Sequence, residues 1–433
     1  MKRELRVSLF DLVTSLSNAM DLVSQDIVNH HKRVAYIALK IAEEMNLRVK
    51  DINNIVLAGI LHDVGALSFR ERLFAREYEF SNGNLHAEVG YQLLKDFAPM
   101  QKMAQMVRFH HLPWKDGAGQ SFEGEEVPIG GHILHLADRV EILINRREEI
   151  LGQTENIVSI IQKGDSTLYC PSVVDAFCGL ADKEYFWLDI VSPNIEQILS
   201  QSTEISSIEL DLMDILDFTR MFSQIIDYRS SFTATHSSGV GATAEAIARL
   251  IGLSERECKK MRIAGNLHDL GKLAIPKEIL EKPDKLQVNE FNVIRSHTYH
   301  TYRVLDAIPG FREITEWAAY HHEKLDGTGY PFHIKGEDIS LGARIMAVAD
   351  IFTAITEDRP YRTGLEKEKV LTILKKKVEE NALDERVVTV LENHYDEVND
   401  IRFCAQSEAY ADYQEFGKES AATKLDECTK TNE

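Results

Sequence analysis

No stretch of this 433-residue chain approaches the roughly 18 consecutive apolar residues of a membrane-spanning helix, so no helical span is expected. The polar start Met1-Lys2-Arg3-Glu4 likewise leads us to expect no signal peptide. Cysteine is sparse: five residues, at 170, 178, 258, 404 and 428, odd in number and never in a CxxC pair. Reduced thiols in a cytoplasm are the simplest account of that usage. Only 10 prolines interrupt the chain, and no segment alternates apolar and polar residues in the strand period, so a sheet-based fold is not expected. Basic charge is also short, 49 Lys and Arg against 69 Asp and Glu, a net −20. That deficit argues against a nucleic-acid polymer as ligand. An anionic small molecule would have to be held by local positive charge.

What the chain does have is helical periodicity almost throughout. Val34–Met45, Gly241–Ile251 and Lys369–Glu379 space their apolar residues at three and four, and the length supports two or three domains. It also writes one pattern twice. The first copy reads His30, then Ala58-Gly59-Ile60-Leu61-His62-Asp63-Val64-Gly65, His86, His110-His111 and Ala137-Asp138. The second reads His236, then Ala264-Gly265-Asn266-Leu267-His268-Asp269-Leu270-Gly271, His297, His321-His322 and Ala349-Asp350. From first His to His-Asp pair is 32 positions in both copies, and from isolated His to doublet 24 in both. The step between those blocks differs, 24 against 29, which places a longer loop there in the second copy, and the step from doublet to final Asp differs by one, 27 against 28. A repeat at fixed offset means a duplicated structural unit.

A lone His-Asp pair is ordinary helix polarity, and a His-His doublet alone says little more. All the elements in order, twice, point to metal. Imidazole and carboxylate suit borderline divalent ions, whereas calcium and magnesium prefer oxygen cages. Five His and two Asp per copy are too many for one ion, since a closed zinc site uses four ligands. They suit two ions sharing a carboxylate, the recurring device for displacement at phosphorus.

The second copy carries further local text: Leu267-His268-Asp269-Leu270-Gly271-Lys272, Ile275-Pro276, Ile279-Leu280-Glu281-Lys282-Pro283, and His321-His322-Glu323-Lys324-Leu325-Asp326-Gly327-Thr328-Gly329-Tyr330-Pro331. With Ala349-Asp350 and Arg359-Pro360-Tyr361-Arg362, residues 232–364 resemble the HD-GYP family of bacterial cyclic-dinucleotide phosphodiesterases. The resemblance implies an all-α fold, here two tandem HD-type helical domains of which the second is the HD-GYP domain. It implies two divalent metal ions, iron or manganese, and hydrolysis of a cyclic dinucleotide to a linear one. His236, His268, Asp269 and Asp350 correspond to one ion's ligands. Asp269, His297, His321 and His322 correspond to the other's, with Asp269 bridging. Lys272 matches the family lysine that contacts the scissile phosphate, and two neighbouring dications would lower its pKa towards general-acid work. Gly329, Tyr330 and Arg344, with Arg359 and Arg362, are the candidate substrate contacts.

The sequence departs from the family in places. Phe332-His333-Ile334 replaces a residue followed by Gly-Leu, Thr353 replaces a second Asp, and Gly239 stands where an arginine is expected. Phe232 occupies the carboxylate position of trinuclear members, so two ions are expected. The tandem layout resembles the Vibrio-type members specific for 3′,3′-cyclic GMP-AMP, which tilts the expected substrate towards that messenger over cyclic di-GMP. A rival from another class is a non-catalytic adaptor that binds a cyclic dinucleotide; the intact ligands and Lys272 weigh against it.

The first copy keeps His30, His62, Asp63, His86, His110, His111 and Asp138, with Asp26 one turn before His30. It lacks the lysine, replaced by Ala66, and the GYP loop, replaced by Leu112-Pro113-Trp114-Lys115-Asp116-Gly117. Three readings stay open: a metal-free regulatory or dimerising relic, a metal holder without catalysis, or a second phosphohydrolase such as a 5′-nucleotidase acting on the product. Domains are expected over residues 1–200 and 201–404, with a boundary near Ser192–Glu209. A linking helix over 205–230, of the kind that serves as a dimer element, and a disordered tail over 405–433 complete the expected layout.

Overall fold

A computed structural model describes residues 5–22, 28–66, 83–202, 208–228, 235–282, 284–358 and 363–430. Its described elements are α- and 3₁₀-helices with four two-residue strands, an all-α architecture. The chain divides into two compact units, one comprising Ser8–Glu209 and the other chiefly Leu210–Lys418. Among the described residues no helix is long and apolar enough to cross a membrane. Cys170, Cys178, Cys258 and Cys404 are free thiols.

Each unit is built on the same five helices. In the first they are His30–Glu44, Val49–Leu61, Gly83–Leu94, Gln101–Arg108 and Ile129–Leu143. In the second they are His236–Ile251, Glu255–Leu267, Val288–Asp306, Arg312–Ala319 and Leu341–Thr356. The sequence explains their limits. Ser254 and Glu257 form a capping box that starts the Glu255 helix, satisfying its free N–H groups reciprocally. Gly252, at φ 99°, ends the preceding helix in the left-handed region that glycine adopts without strain. The first two helices of each unit cross at very short range. A Cβ on Gly265 would lie 2.4 Å from Gly241 Cα, and one on Gly59 would lie 2.8 Å from Ala35 Cα. Small residues at these crossings bring the first His and the His-Asp pair to one place.

Apolar faces close over these crossings: Val240, Ile247, Leu267, Ile345 and Phe352 in the second unit, Val34, Ile41, Leu61 and Leu136 in the first, all buried. Each such side chain contributes about 1.5–3 kcal/mol when fully removed from water. A further helix, Leu212–Tyr228, lies within the span expected for the linker and packs in the second unit. The helix Tyr395–Lys430 runs through residue 405, from which the polar composition had led us to expect disorder. Gln406 and Ala409, one turn apart on that helix, are buried, so a narrow face of an otherwise polar segment anchors it.

Candidate functional site

The five helices of each unit and the turns that follow them deliver the histidines and aspartates, some from helix ends and some from helix interiors. His30 and His236 are the first residues of their helices. His62 and His268 cap the C-termini of theirs, and Asp138 and Asp350 are each the tenth residue of theirs.

In five of these rings Nδ1 meets the backbone carbonyl three residues earlier. His268 Nδ1 lies 2.8 Å from the Gly265 carbonyl, His297 Nδ1 2.7 Å from Ile294, and His321 Nδ1 2.6 Å from Ala318. His62 and His110 repeat the arrangement at 2.8 Å from Gly59 and 2.6 Å from Val107. A carbonyl only accepts, so in each ring Nδ1 carries the proton and donates it, leaving Nε2 as a lone pair aimed inward.

Those lone pairs converge. In the second unit His236, His268 and Asp350 place donor atoms within 4.8 Å of one another, as do His297, His321 and His322, and also His268, Asp269 and His321. Asp269 stands between the groups. Its Oδ2 is 3.2 Å from His268 Nε2, and its Oδ1 is 3.5 Å from His297 Nε2. Asp350 Oδ1 is 3.2 Å from His236 Nε2. The first unit repeats the pattern, with Asp63 Oδ2 3.5 Å from His62 and its Oδ1 3.3 Å from His86. There His30, His62 and Asp63 group together, as do His86, His110 and His111.

The donor chemistry fits divalent ions. The Nε2 atoms of His62 and His268 are buried and have no hydrogen-bond partner among the described residues. A buried lone pair left this way is costly unless something electrophilic occupies the space before it. Burial pulls the His297 pKa down to about 3 and holds His321 well below the ordinary imidazole value, so both rings are neutral at pH 7. Burial alone would raise the Asp269 carboxyl, but His268, Lys272 and His297 hold it well below the usual carboxylate range. The outlier is His236. Burial works against its protonation, yet Glu357 and Asp350 overcome it and push the pKa up to about 10.

Glu357 is a residue that the sequence did not disclose. Its Oε2 is 3.1 Å from His236 Nδ1, on the ring edge away from Asp350. Glu141 does the same for His30 at 2.6 Å. Such carboxylates orient a ligating imidazole and raise its basicity. In the first unit Arg33 reaches Glu141 at 3.4 Å. The matching position in the second unit is Gly239, where the family arginine is missing, and Gln406 fills the space. A Cβ on Gly239 would lie 2.8 Å from Gln406 Cδ, and Gln406 Nε2 donates to Glu357 at 3.0 Å. The C-terminal helix thus supplies a substitute donor for the absent arginine.

A backbone contact joins the two ligand groups in both units. A Cβ on Gly271 would lie 1.9 Å from the His297 carbonyl oxygen, and one on Gly65 would lie 2.0 Å from that of His86. Only glycine permits the His-Asp turn to press against the next ligand helix. Thr301 stitches the contact in the second unit, accepting from Gly271 N at 2.9 Å and donating to the His268 carbonyl at 3.0 Å.

Of the remaining candidates, Lys272 Nζ lies 2.5 Å from Asp269 Oδ2, at the junction of the ligand groups. Tyr330 also borders the site, its ring 4.9 Å from that of His322 and its backbone N–H donating to the His322 carbonyl at 3.2 Å. Gly329 lets the loop fold back, since a Cβ there would lie 2.4 Å from Glu323 Cα. The loop is held from inside by Glu323, whose carboxylate accepts from Phe332 N at 2.6 Å and Ile334 N at 3.1 Å. His333, at the family's glycine position, has φ 56°, so the left-handed backbone is retained while a side chain is added. Phe332 packs against Tyr302 and Tyr320 at 4.9 and 5.5 Å.

Arg344, a candidate substrate contact, donates to the carbonyls of Ile339 and Gly336 at 2.8 and 3.0 Å and pairs with Asp384 at 2.8 Å. Its nitrogens are committed to closing the loop. Asp26, Phe232, Arg359 and Arg362 lie outside the described residues.

Family models described as HD domains match residues 220–387 and residues 27–143. A 3′3′-cGAMP-specific phosphodiesterase of Vibrio cholerae serotype O1 is 30% identical over 398 residues, covering 90% of this chain and 92% of the relative. A cyclic di-GMP phosphodiesterase of Pseudomonas aeruginosa is 43% identical over 134 residues, 31% of this chain and 32% of the relative. The crystal structure of a cyclic GMP-AMP specific phosphodiesterase of V. cholerae matches with a TM-score of 0.60 at 23% identity, over 90% of this chain and 98% of that one, and supports the fold. Ligand geometry, GYP loop and near full-length similarity agree: this chain belongs to the HD-GYP family of cyclic-dinucleotide phosphodiesterases.

Proposed function

We propose that the second unit hydrolyses one 3′,5′-phosphodiester bond of a cyclic dinucleotide, 3′,3′-cyclic GMP-AMP or cyclic di-GMP, to give the linear dinucleotide. The observation that carries this reading is Asp269, whose two oxygens face two different histidine groups. His236, His268 and Asp350 would hold one divalent ion, His297, His321 and His322 the other, and Asp269 both; iron and manganese suit this nitrogen-rich set. Two such ions supply an activated water and neutralise charge on the phosphate. Lys272 stands at the same junction, placed to bind the scissile phosphate and protonate the departing oxygen. Tyr330 borders the ligands and limits access to them. Cyclic GMP-AMP is favoured because similarity to the cyclic GMP-AMP-specific relative extends over both units. The test is to load the protein with manganese or with ferrous iron and incubate it with each cyclic dinucleotide, identifying products by mass. Metal-loaded protein that binds but never cleaves would mark a signalling adaptor instead.

For the first unit, an intact ligand set without the lysine or the GYP loop favours a terminal phosphate over a cyclic diester. On that reading, replacing His62 and Asp63 with alanine makes the 5′-phosphorylated linear product accumulate while cyclic-substrate cleavage persists. Unaltered product profiles and metal content would make the unit a structural relic.

A further inference from the structure

We infer that the cleft beside Tyr330 is a guanine subsite, read by Arg295; the inference rests on the cyclic-dinucleotide reading and deepens it. The helix that turns His297 inward also carries Asn292, Arg295, Ser296 and Tyr299, which with Tyr330 and Pro331 line an open cleft of about 240 Å³. The Tyr330 ring rests on His322, so the cleft begins where the ligand set ends. Arg295 lies over the same ring, its guanidinium carbon 4.9 Å from the Tyr330 centroid.

The Arg295 backbone carbonyl accepts from Thr298, but its guanidinium has no ion pair or hydrogen bond among the described residues, in a chain whose net charge is −20. The first unit shows the contrast. There Arg108 also lies over aromatic rings, but Glu88 and Glu125 hold it at 2.7 and 2.9 Å. A guanidinium stacked on a ring keeps its in-plane N–H edge available. That edge only donates. Guanine offers two acceptors side by side, O6 and N7, which an arginine fork engages together, whereas adenine sets an N6 donor beside N7. Tyr299, 47% exposed, gives the base a face to stack on, while the Tyr330 ring is the platform that holds Arg295. Both proposed substrates contain guanine, so the assignment does not depend on which is preferred.

The experiment uses the full metal-loaded chain as wild type, Arg295→Ala and Arg295→Lys. Substrates are cyclic di-GMP, 3′,3′-cyclic GMP-AMP, cyclic di-AMP and the base-free diester bis(4-nitrophenyl) phosphate. Expected is a rise in KM of roughly 5- to 150-fold on guanine-containing substrates for Arg295→Ala. This loss should exceed that on cyclic di-AMP and on the base-free diester. Lysine should restore little, because it lacks the planar fork. Equal losses on all substrates, or an unchanged KM on cyclic di-GMP, would overturn the guanine subsite while leaving the phosphodiesterase reading in place. Wild-type protein that cleaves only the base-free diester overturns that reading, and the subsite with it.

Discussion

Replacing Gly329 with alanine isolates the contribution of the GYP loop. The added Cβ would stand 2.4 Å from Glu323 Cα and Lys324 N and 2.6 Å from the His322 carbonyl oxygen, where ordinary contact begins at 3.4 Å. All three neighbours are backbone, so a gap of roughly 1 Å must be opened by moving the loop rather than a flexible side chain. Overpacking of that kind costs about 1–3 kcal/mol. The motion carries Tyr330 away from His322, and a misplacement near 1 Å costs on the order of 10² in turnover. Expected is a melting midpoint lower by several degrees and kcat/KM on cyclic dinucleotide down about a hundredfold, with metal content largely retained because His322 alone among the ligands meets the added Cβ, through its backbone carbonyl. Gly336→Asn is the control. Gly336 lies in the same loop at φ 56° with nothing within 4 Å, and asparagine tolerates that conformation. Wild-type activity in Gly329→Ala, or equal damage in both variants, would refute the argument.

Alanine at both His268 and Asp269 should abolish hydrolysis and lower metal content only in part, since His297, His321 and His322 remain; metal analysis beside the product assay decides it. Lys272→Ala should lower kcat by about 10²–10⁴ with normal metal content, as for loss of a general acid. An unchanged rate would reduce Lys272 to a partner for Asp269. Metal-stripped protein should lose stability as pH rises. His30 and His236 carry folded-state values of about 10 against an ordinary 6.5, so their protonated pairs stabilise fully below about 6.5 and progressively less up to 10. Over the same window the ion held by His236, or by His30, should bind more tightly, because it displaces a proton from that ring. Melting of the stripped protein and metal titrations at several pH values check both trends.

The candidate ligand sets were legible because the order and most of the spacing of seven positions recur in a duplicated unit, which leaves little room for chance. The carboxylates behind His30 and His236 were not. Glu141 lies three residues after Asp138 and Glu357 seven after Asp350, so the repeat does not align them although they meet the same ring nitrogen. Gln406 was hidden for a related reason: it fills from a remote helix the role that Arg33 performs locally. The Arg344 pair with Asp384 was hidden because nothing in its neighbourhood of the chain announces that Asp384 lies beside it. Arg295 escaped notice because an arginine on a helix is ordinarily a surface charge. What distinguishes it is the absence of a carboxylate among the described residues, a fact of three dimensions.

The pressing of Gly271 on His297, and of Gly65 on His86, makes the main chain a gauge. The separation of the two ligand groups is set by peptide against peptide, not by any side chain that mutation could lengthen or shorten. Divergence after duplication was therefore free to remove a lysine, rebuild a loop and exchange an arginine for a glycine without altering that gauge. A protein so made would select its ions by the distance they must keep and admit more than one element. The identity of the occupant would then follow from what the cell supplies.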